Sequence, residues 1–239
     1  MSSSGFGLDT RARSTLPDAA AVARHDAAVF LLREKRDAAV AQVPDFEALR
    51  TRAAAIKDHT LDHLDRHLER FEAKARENGV VVHWAADARA LCEIVEALLR
   101  ERGVRRVVKS KSMLTEECGL NPWLEARGFD VVDTDLGERI VQLEGEPPSH
   151  IIVPAIHRTR AEVGALFHRH MGSPAGEDEP ERLMAHARVD LRARFLAAEA
   201  GITGANFAVA ETGSLVFVTN EGNADLGTSL PPLHIACLG

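Results

Sequence analysis

The sequence predicts an α/β fold: a mostly parallel sheet sandwiched by helices, preceded by an N-terminal helical extension. Three observations lead there. Short β-branched runs such as Arg106-Val107-Val108-Lys109 and His150-Ile151-Ile152-Val153 recur along the chain. Helical patterns with capping residues separate them, and such alternation indicates parallel strands joined by helical crossovers. The stretch up to residue 70 carries helical patterns alone, so it stands apart from the sheet as an extension, with the α/β domain over residues 71–239.

The first residues, up to Arg13, are small and polar and read as loose. A helical stretch runs from Asp18 to Val43 and stops at Pro44, which has no N–H to donate and clashes with the preceding turn. Asp45 reads as the N-cap of a long helix reaching Asn78-Gly79, with Leu61, Leu64, Leu68 and Phe71 as its apolar stripe. Val80-Val81-Val82-His83-Trp84 reads as a strand. Asp87 then caps a helix with Ala88, Leu91, Val95 and Leu98 on one face, stopped by Gly103. Arg106 to Lys109 is the next strand, and Thr115 reads as the cap of a helix ending near Arg127-Gly128. Phe129 to Val132 and His150 to Val153 read as strands, and Ile140 to Leu143 as a candidate for another. Thr159 starts a helix towards Met171, a polar loop covers Gly172 to Pro180, and a further helix runs from Glu181 to Ala200. Beyond it, two apolar strands flank Glu211-Thr212-Gly213-Ser214, a hairpin signal, and a second polar turn follows at Asn220-Glu221-Gly222-Asn223.

Composition narrows the classes of function. The chain has 239 residues, one domain with an extension or two small ones at about 100–200 residues each. Apolar residues make up 45%, enough for a real core, but aromatics are 5% and Tyr is absent, so Val, Leu, Ile and Ala must build it. A net charge of −7 argues against wrapping nucleic acid, which needs a basic face. Few aromatics also leave little surface for stacking bases. Cys92, Cys118 and Cys237 are scattered without a CxxC spacing, so they alone build neither a zinc site nor an iron–sulfur cluster. Such a sparse, odd set fits a reducing compartment. No secretory apolar core follows Met1, and no apolar run approaches the roughly 20 residues of a membrane span. The expected location is cytoplasmic.

Four places could carry chemistry. Lys109-Ser110-Lys111-Ser112 lies at the carboxyl end of a strand and before a helix start, where open α/β sheets bind ligands. Two ammonium groups, two hydroxyls and a helix N-terminus suit an anion, while Glu116 and Glu117 would offset that field or orient the lysines. Glu211 puts a carboxylate on a tight turn, as a nucleophile or base or simply as a solvated tip, with Thr212, Gly213 and Ser214 beside it. Asn220, Glu221 and Asn223 supply amides and another carboxylate, and two such knots together suggest the rim of a cleft. His157-Arg158 follows the expected strand at residues 150–153, and offers a proton shuttle and an anion fork, or an ordinary surface pair. His59, His63 and His67 recur every fourth residue, a spacing that can hold a metal, but Asp58, Asp62 and Asp65 crowd them and a charged, solvated face is the better reading.

The segments Lys109-Ser110-Lys111-Ser112-Met113 with Glu116-Glu117, Thr134-Asp135-Leu136-Gly137-Glu138 with Val141-Gln142-Leu143, and Pro148-Ser149-His150-Ile151 with Pro154-Ala155-Ile156-His157 resemble successive motifs of one family. So do the stretch from Gly204 to Gly213, Thr219-Asn220-Glu221-Gly222-Asn223, and the closing Leu230-Pro231-Pro232-Leu233-His234-Ile235-Ala236. The family is that of the LutB-type lactate utilisation iron–sulfur proteins; the resemblance to their N-terminal portion runs from about Arg36 to the end, and from about Phe71 onward it is to their LUD domain. It implies a fold related to ribose-5-phosphate isomerases and CoA-transferases. It implies a subunit that works with LutA- and LutC-like companions in oxidising L-lactate to pyruvate. The 4Fe–4S clusters of such proteins sit in a downstream Cys-rich region, so the resemblance implies no cofactor in this chain and a LUD domain incomplete at its C-terminal end. Arg139, where an aromatic is common, and Ala224-Asp225-Leu226 depart from the family pattern.

Three functions follow as expectations. The chain is a subunit of a lactate-oxidising complex, binding a small anionic metabolite in a cleft lined by Lys109 to Ser112, His157-Arg158 and the two polar knots. Alternatively it is a stand-alone enzyme resembling isomerases or CoA-transferases, with Glu211 as nucleophile, or a non-catalytic assembly platform. All but the last require distant segments to converge on one hollow, with Lys111 and Glu221 on its walls.

Overall fold

The computed structural model describes residues 19–239; the polar start of the chain and the expected helix start at Asp18 lie outside the described residues. Three helices come first: α1 (Ala19–Ala41), α2 (Phe46–Asp62) and α3 (Leu64–Glu77). The expected long helix after Pro44 is broken at His63, whose φ of −127° is not helical. Asp45 precedes α2 in a left-handed conformation, φ 58°, and its side chain makes no cap hydrogen bond. Asp87 does cap α4 (Ala88–Glu101), accepting from the Ala90 N–H.

The sheet has four parallel strands: β1 (Arg106–Lys109), β2 (Asp130–Asp133), β3 (Ala200–Gly204) and β6 (Leu233–Cys237), in the order β2-β1-β3-β6. Val107 lies beside Val131 on one side and Ala200 on the other. Between β1 and β2 run the short helices α5 (Met113–Glu117) and α6 (Leu120–Glu125). Between β2 and β3 run α7 (Leu136–Glu144), α8 (Arg160–Met171) and α9 (Pro180–Ala197). Between β3 and β6 lie an antiparallel hairpin, β4 (Phe207–Val209) with β5 (Ser214–Val216), and α10 (Asn223–Ser229).

Strand residues alternate between faces, and the core divides accordingly. Val107, Val131 and Ile202 join Cys92, Val95 and Leu99 of α4 and Leu120 and Leu124 of α6 in one apolar cluster. A second cluster, Ile140, Leu166, Phe167, Leu183 and Ala187, welds α7, α8 and α9 together. The end of α9 reaches Val108 and Val132, which point the other way from Val107 and Val131. Each such fully buried Leu or Phe contributes about 1.5–3 kcal/mol. Glu199 ties β1 to the start of β3, its carboxylate accepting from the Arg105 and Arg106 N–H groups at 2.7 and 2.9 Å.

Several expected elements take another form. Val80 to Trp84 pairs with no strand, and Val81 is 71% exposed. Ile140 to Leu143 lies within α7: Asp135 caps that helix at the Gly137 and Glu138 N–H groups, and Leu136, Ile140 and Leu143 share its inner face. His150 to Val153 is a loop, because His150 Nδ1 accepts from the Ile152 and Val153 N–H groups and takes up donors that a ladder would need. Thr115 sits inside α5, which Ser112 caps instead, and Gly119 in a left-handed conformation separates α5 from α6. Thr159 forms a full capping box with Glu162 at the start of α8, as the sequence predicts.

Candidate functional site

Outside the carboxyl ends of the strands the chain leaves a cavity of about 390 Å³. Its walls come from Ser110 to Leu114 after β1, Asp135 after β2, Gly204 to Asn206 after β3, and Cys237 to Gly239 after β6, with Phe217 to Glu221 closing the far side. This is where sheet topology places a site. β1 leads to β2 on one flank and β3 lies on the other, so the connections diverge and leave a crevice between them.

Lys111 and Glu221 both line this cavity. The Lys111 ammonium donates to the Ile152 carbonyl at 2.7 Å, which spans the gap to the loop at 150–153. An ammonium has three donors, so two remain for a ligand. Burial pushes the Glu221 carboxyl above the ordinary range, the Asp135 carboxylate adds to that, and Lys111 opposes both. The knot carrying Glu221 is held in place from two sides: Asn223 Nδ2 donates to Thr134 Oγ1 at 3.4 Å, and Thr219 Oγ1 donates to Asp225 at 3.0 Å. Asn206 Oδ1 accepts from the Val218 N–H at 2.7 Å and fixes the opposite wall. The arrangement offers one ammonium, two carboxylates and several hydroxyl and amide groups around a ligand-sized hollow.

Of the residues singled out from sequence, Ser110, Lys111, Ser112, Asn220, Glu221 and Asn223 line the cavity together. Lys109 does not. It is fully buried, its ammonium 2.7 Å from Glu116 and 2.9 Å from Asp133, and those carboxylates, with Glu138 nearby, hold its pKa above the usual lysine value against the cost of burial. Lys109, the last residue of β1, shares the inward face of Val107 two positions before it, whereas Lys111 lies past the strand end in the loop and there reaches the hollow. Glu138 in the first turn of α7 is likewise buried, and desolvation pushes its carboxyl up to about 7 despite Lys109.

His157 and Arg158 form a separate knot. His157 Nε2 and Arg158 Nη2 both contact Glu146, at 2.7 Å each, and His157 Nδ1 meets Ser149 Oγ at 2.8 Å. The two residues clamp the loop before α8, and neither lines the cavity. The first polar knot is also elsewhere. Glu211, Thr212, Gly213 and Ser214 form the tip of the β4–β5 hairpin, which rests on α3: Asn78 Nδ2 donates to the Thr212 carbonyl at 2.8 Å. Gly213, at φ 71°, lies so close that a Cβ there would come 2.3 Å from the Ala75 nitrogen. The Glu211 carboxylate is 80% exposed and 3.9 Å from Arg70.

Sequence reasoning missed Asp135, Asn206, Phe217 and Cys237 on the cavity wall. The rule that ligands sit at strand ends would have found Asp135 and Asn206, each the first or second polar residue past a strand. Phe217 and Cys237 carry no such mark, because they face the cavity only through the packing of the hairpin and β6.

The thiols do not fit an iron–sulfur cluster. Cys92 and Cys237 are buried in the apolar core, and Cys92 Sγ donates to the Cys118 carbonyl at 3.5 Å. Burial pushes the Cys237 thiol up to about 11, away from the thiolate a cluster needs. Among the described residues no group of three or more His, Cys, Asp or Glu is placed to hold a metal ion, His59, His63 and His67 included. Among the same residues no helix is long and apolar enough to cross a membrane.

Comparison with known proteins agrees with the motifs. The LUD domain family matches residues 68–239. The chain is 45% identical over 204 residues to the uncharacterized electron transport protein YkgF of Escherichia coli, covering 85% of this chain and 43% of that protein. It is 44% identical over 206 residues to lactate utilization protein B of Geobacillus thermodenitrificans, covering 86% and 43%. It is 42% identical over 207 residues to the protein of that name from Oceanobacillus iheyensis, covering 87% and 43%. The chain thus spans less than half the length of these curated relatives. No solved structure matches it. With a parallel sheet flanked by helices and a family match over most of its length, the chain belongs to the LUD domain family.

Proposed function

We propose that this chain is the LUD-domain part of a LutB-like subunit in a complex that oxidises L-lactate to pyruvate, and that its strand-end cavity holds a small anionic metabolite. The observation that carries the reading is the joint placement of Lys111 and Glu221 on one cavity. A 2-hydroxy or 2-oxo acid has a carboxylate to accept from the two remaining Lys111 donors. Its neighbouring hydroxyl or carbonyl meets the Glu221 carboxyl, whose raised pKa favours a shared proton. Names that include lactate utilization protein B among the relatives support the substrate class. The companions are LutA- and LutC-like subunits, and electron transfer through clusters belongs to parts of such a complex other than the thiols described above.

The stand-alone isomerase- or CoA-transferase-like reading requires Glu211 beside the ligand. Its carboxylate sits at an exposed hairpin tip and lines no part of the cavity, so the geometry gives that reading no support. The test is co-expression with LutA- and LutC-like subunits from one lactate-utilising bacterium. A stable complex with lactate-dependent dye reduction is expected, and Lys111→Ala should lower lactate affinity about tenfold, as for loss of a charged hydrogen bond. Failure to co-purify would remove the subunit reading, and an unchanged Lys111→Ala response would remove the ligand assignment.

A further inference from the structure

Helix α2 is little used by the fold. None of its residues is buried. Yet its sequence is patterned. Phe46, Leu49, Ala53, Ile56 and Thr60 recur at alternating intervals of three and four, the spacing of a coiled-coil seam over two heptads. Leu49 is 50% exposed and Ile56 61% exposed, with Ala53 exposed between them, so among the described residues no helix covers the middle of that seam; Phe46 and Thr60 at its ends are half-buried. Three of the four residues flanking it within the helix are cationic: Arg50 and Lys57 on one edge and Arg52 on the other, where His59 sets its ring against those of His63 and His67. The acids Glu47, Asp58 and Asp62 fall on the outer face. Arg50 reaches Glu47 at 2.6 Å, but both side chains are about 70% exposed, and such a surface pair yields readily to a better partner.

The flanks decide what can cover the seam. A second copy packed antiparallel, with Ala53 facing Ile56, sets Arg50 beside Lys57 and Arg52 beside His59. Packed parallel, it sets Arg52 beside Lys57. Both arrangements place like charges together, which disfavours self-pairing. A helix with an apolar seam and carboxylates on its flanks meets attraction on both edges. A match of 204 residues in a chain of 239 includes residues 46–62 wherever it begins, so the likeness to the curated relatives extends through α2, outside the LUD domain match. We infer that α2 is a docking helix for an amphipathic partner helix whose apolar seam is flanked by Asp or Glu. The inference goes beyond the lactate reading and stands without it.

The experiment titrates the full chain into a labelled synthetic three-heptad peptide with Leu at the seam and Glu at the flanks, followed by fluorescence anisotropy. A matched peptide with Lys at the flanks is the control. The net charge of −7 favours the Lys peptide at long range, so a preference for Glu must come from α2 itself. Binding of the Glu peptide at least about tenfold tighter than the Lys peptide is expected, a difference of about 1.4 kcal/mol. Ile56→Asp should abolish it with the circular dichroism unchanged. The combined reversal Arg50→Glu, Arg52→Glu and Lys57→Glu should transfer the preference to the Lys peptide. No binding, equal binding of both peptides, or an unreversed preference would overturn the inference. So would a chain dimer in sedimentation that Ile56→Asp dissociates, since the seam would then belong to a second copy.

Discussion

The ammonium of Lys109 touches Glu116 and Asp133 and has no access to solvent, whereas Lys111, two positions on, faces the cavity. The two lysines therefore answer differently to substitution. Removing the buried cation leaves carboxylates uncompensated in the interior, so Lys109→Met should lower unfolding stability by about 3–5 kcal/mol in urea denaturation. Lys111→Met should change stability little. Glu138 sets the pH dependence of the same cluster. Its folded-state pKa, about 7, lies above the ordinary 4.5, so the folded chain holds that proton more tightly. The stability this confers is complete below pH 4.5 and is lost as pH rises through 7. Relative to the native chain, Glu138→Gln should gain on the order of 3 kcal/mol between pH 4.5 and pH 8, since each pKa unit is about 1.4 kcal/mol. An unchanged difference across that range would contradict the assignment. At this scale the sequence showed which residues are polar but not which way they face. Lys109 and Lys111 read alike in the one-dimensional pattern, and only the point at which β1 ends, after Lys109, separates them.

Elements were legible where a local signal and the tertiary fold agree. Asp87 and Thr159 cap the helices they precede, and the turn at Thr212-Gly213 closes a hairpin. They were illegible where apolar runs lacked a pairing partner or had a competing one. Val80 to Trp84 has strand composition and no strand beside it, and the loop at 150–153 spends its donors on His150. Two close contacts join β3 to its neighbours and can be tested. A Cβ on Gly201 would come 1.9 Å from the Gly227 carbonyl oxygen, so α10 can lie on β3 only with glycine there. Gly201→Ala should force the two apart and lower stability by about 1–3 kcal/mol, as overpacking does, with loss of protection from hydrogen exchange in residues 223–229. Glu199 bridges β1 and β3 through two backbone N–H groups and Arg106, which hold its carboxyl down to about 2. A lowered folded-state pKa gives stability that is present above pH 4.5 and lost as pH falls towards 2. Glu199→Gln should therefore be less stable than the native chain at pH 7, with the difference closing as pH falls through that window.

At the scale of the molecule, the sheet order matters more than any single motif. Four parallel strands end on one side, and the diverging connections around β1 open the cavity there. The sequence predicted a sheet, a helical extension and a strand-end site, and Lys111 and Glu221 do share one hollow. It also grouped His157-Arg158 and the Glu211 turn with them, because proximity to a strand end in sequence does not say which loops fold over the crevice. Those segments secure the loop before α8 and the hairpin on α3. The central claim is that the cavity binds a small carboxylate through Lys111, and calorimetric titration of the whole chain with pyruvate and L-lactate tests it most directly. Saturable heat at one site per chain, with affinity reduced about tenfold in Lys111→Ala, is the predicted result. No heat with either acid, or equal affinity in the variant, would contradict it.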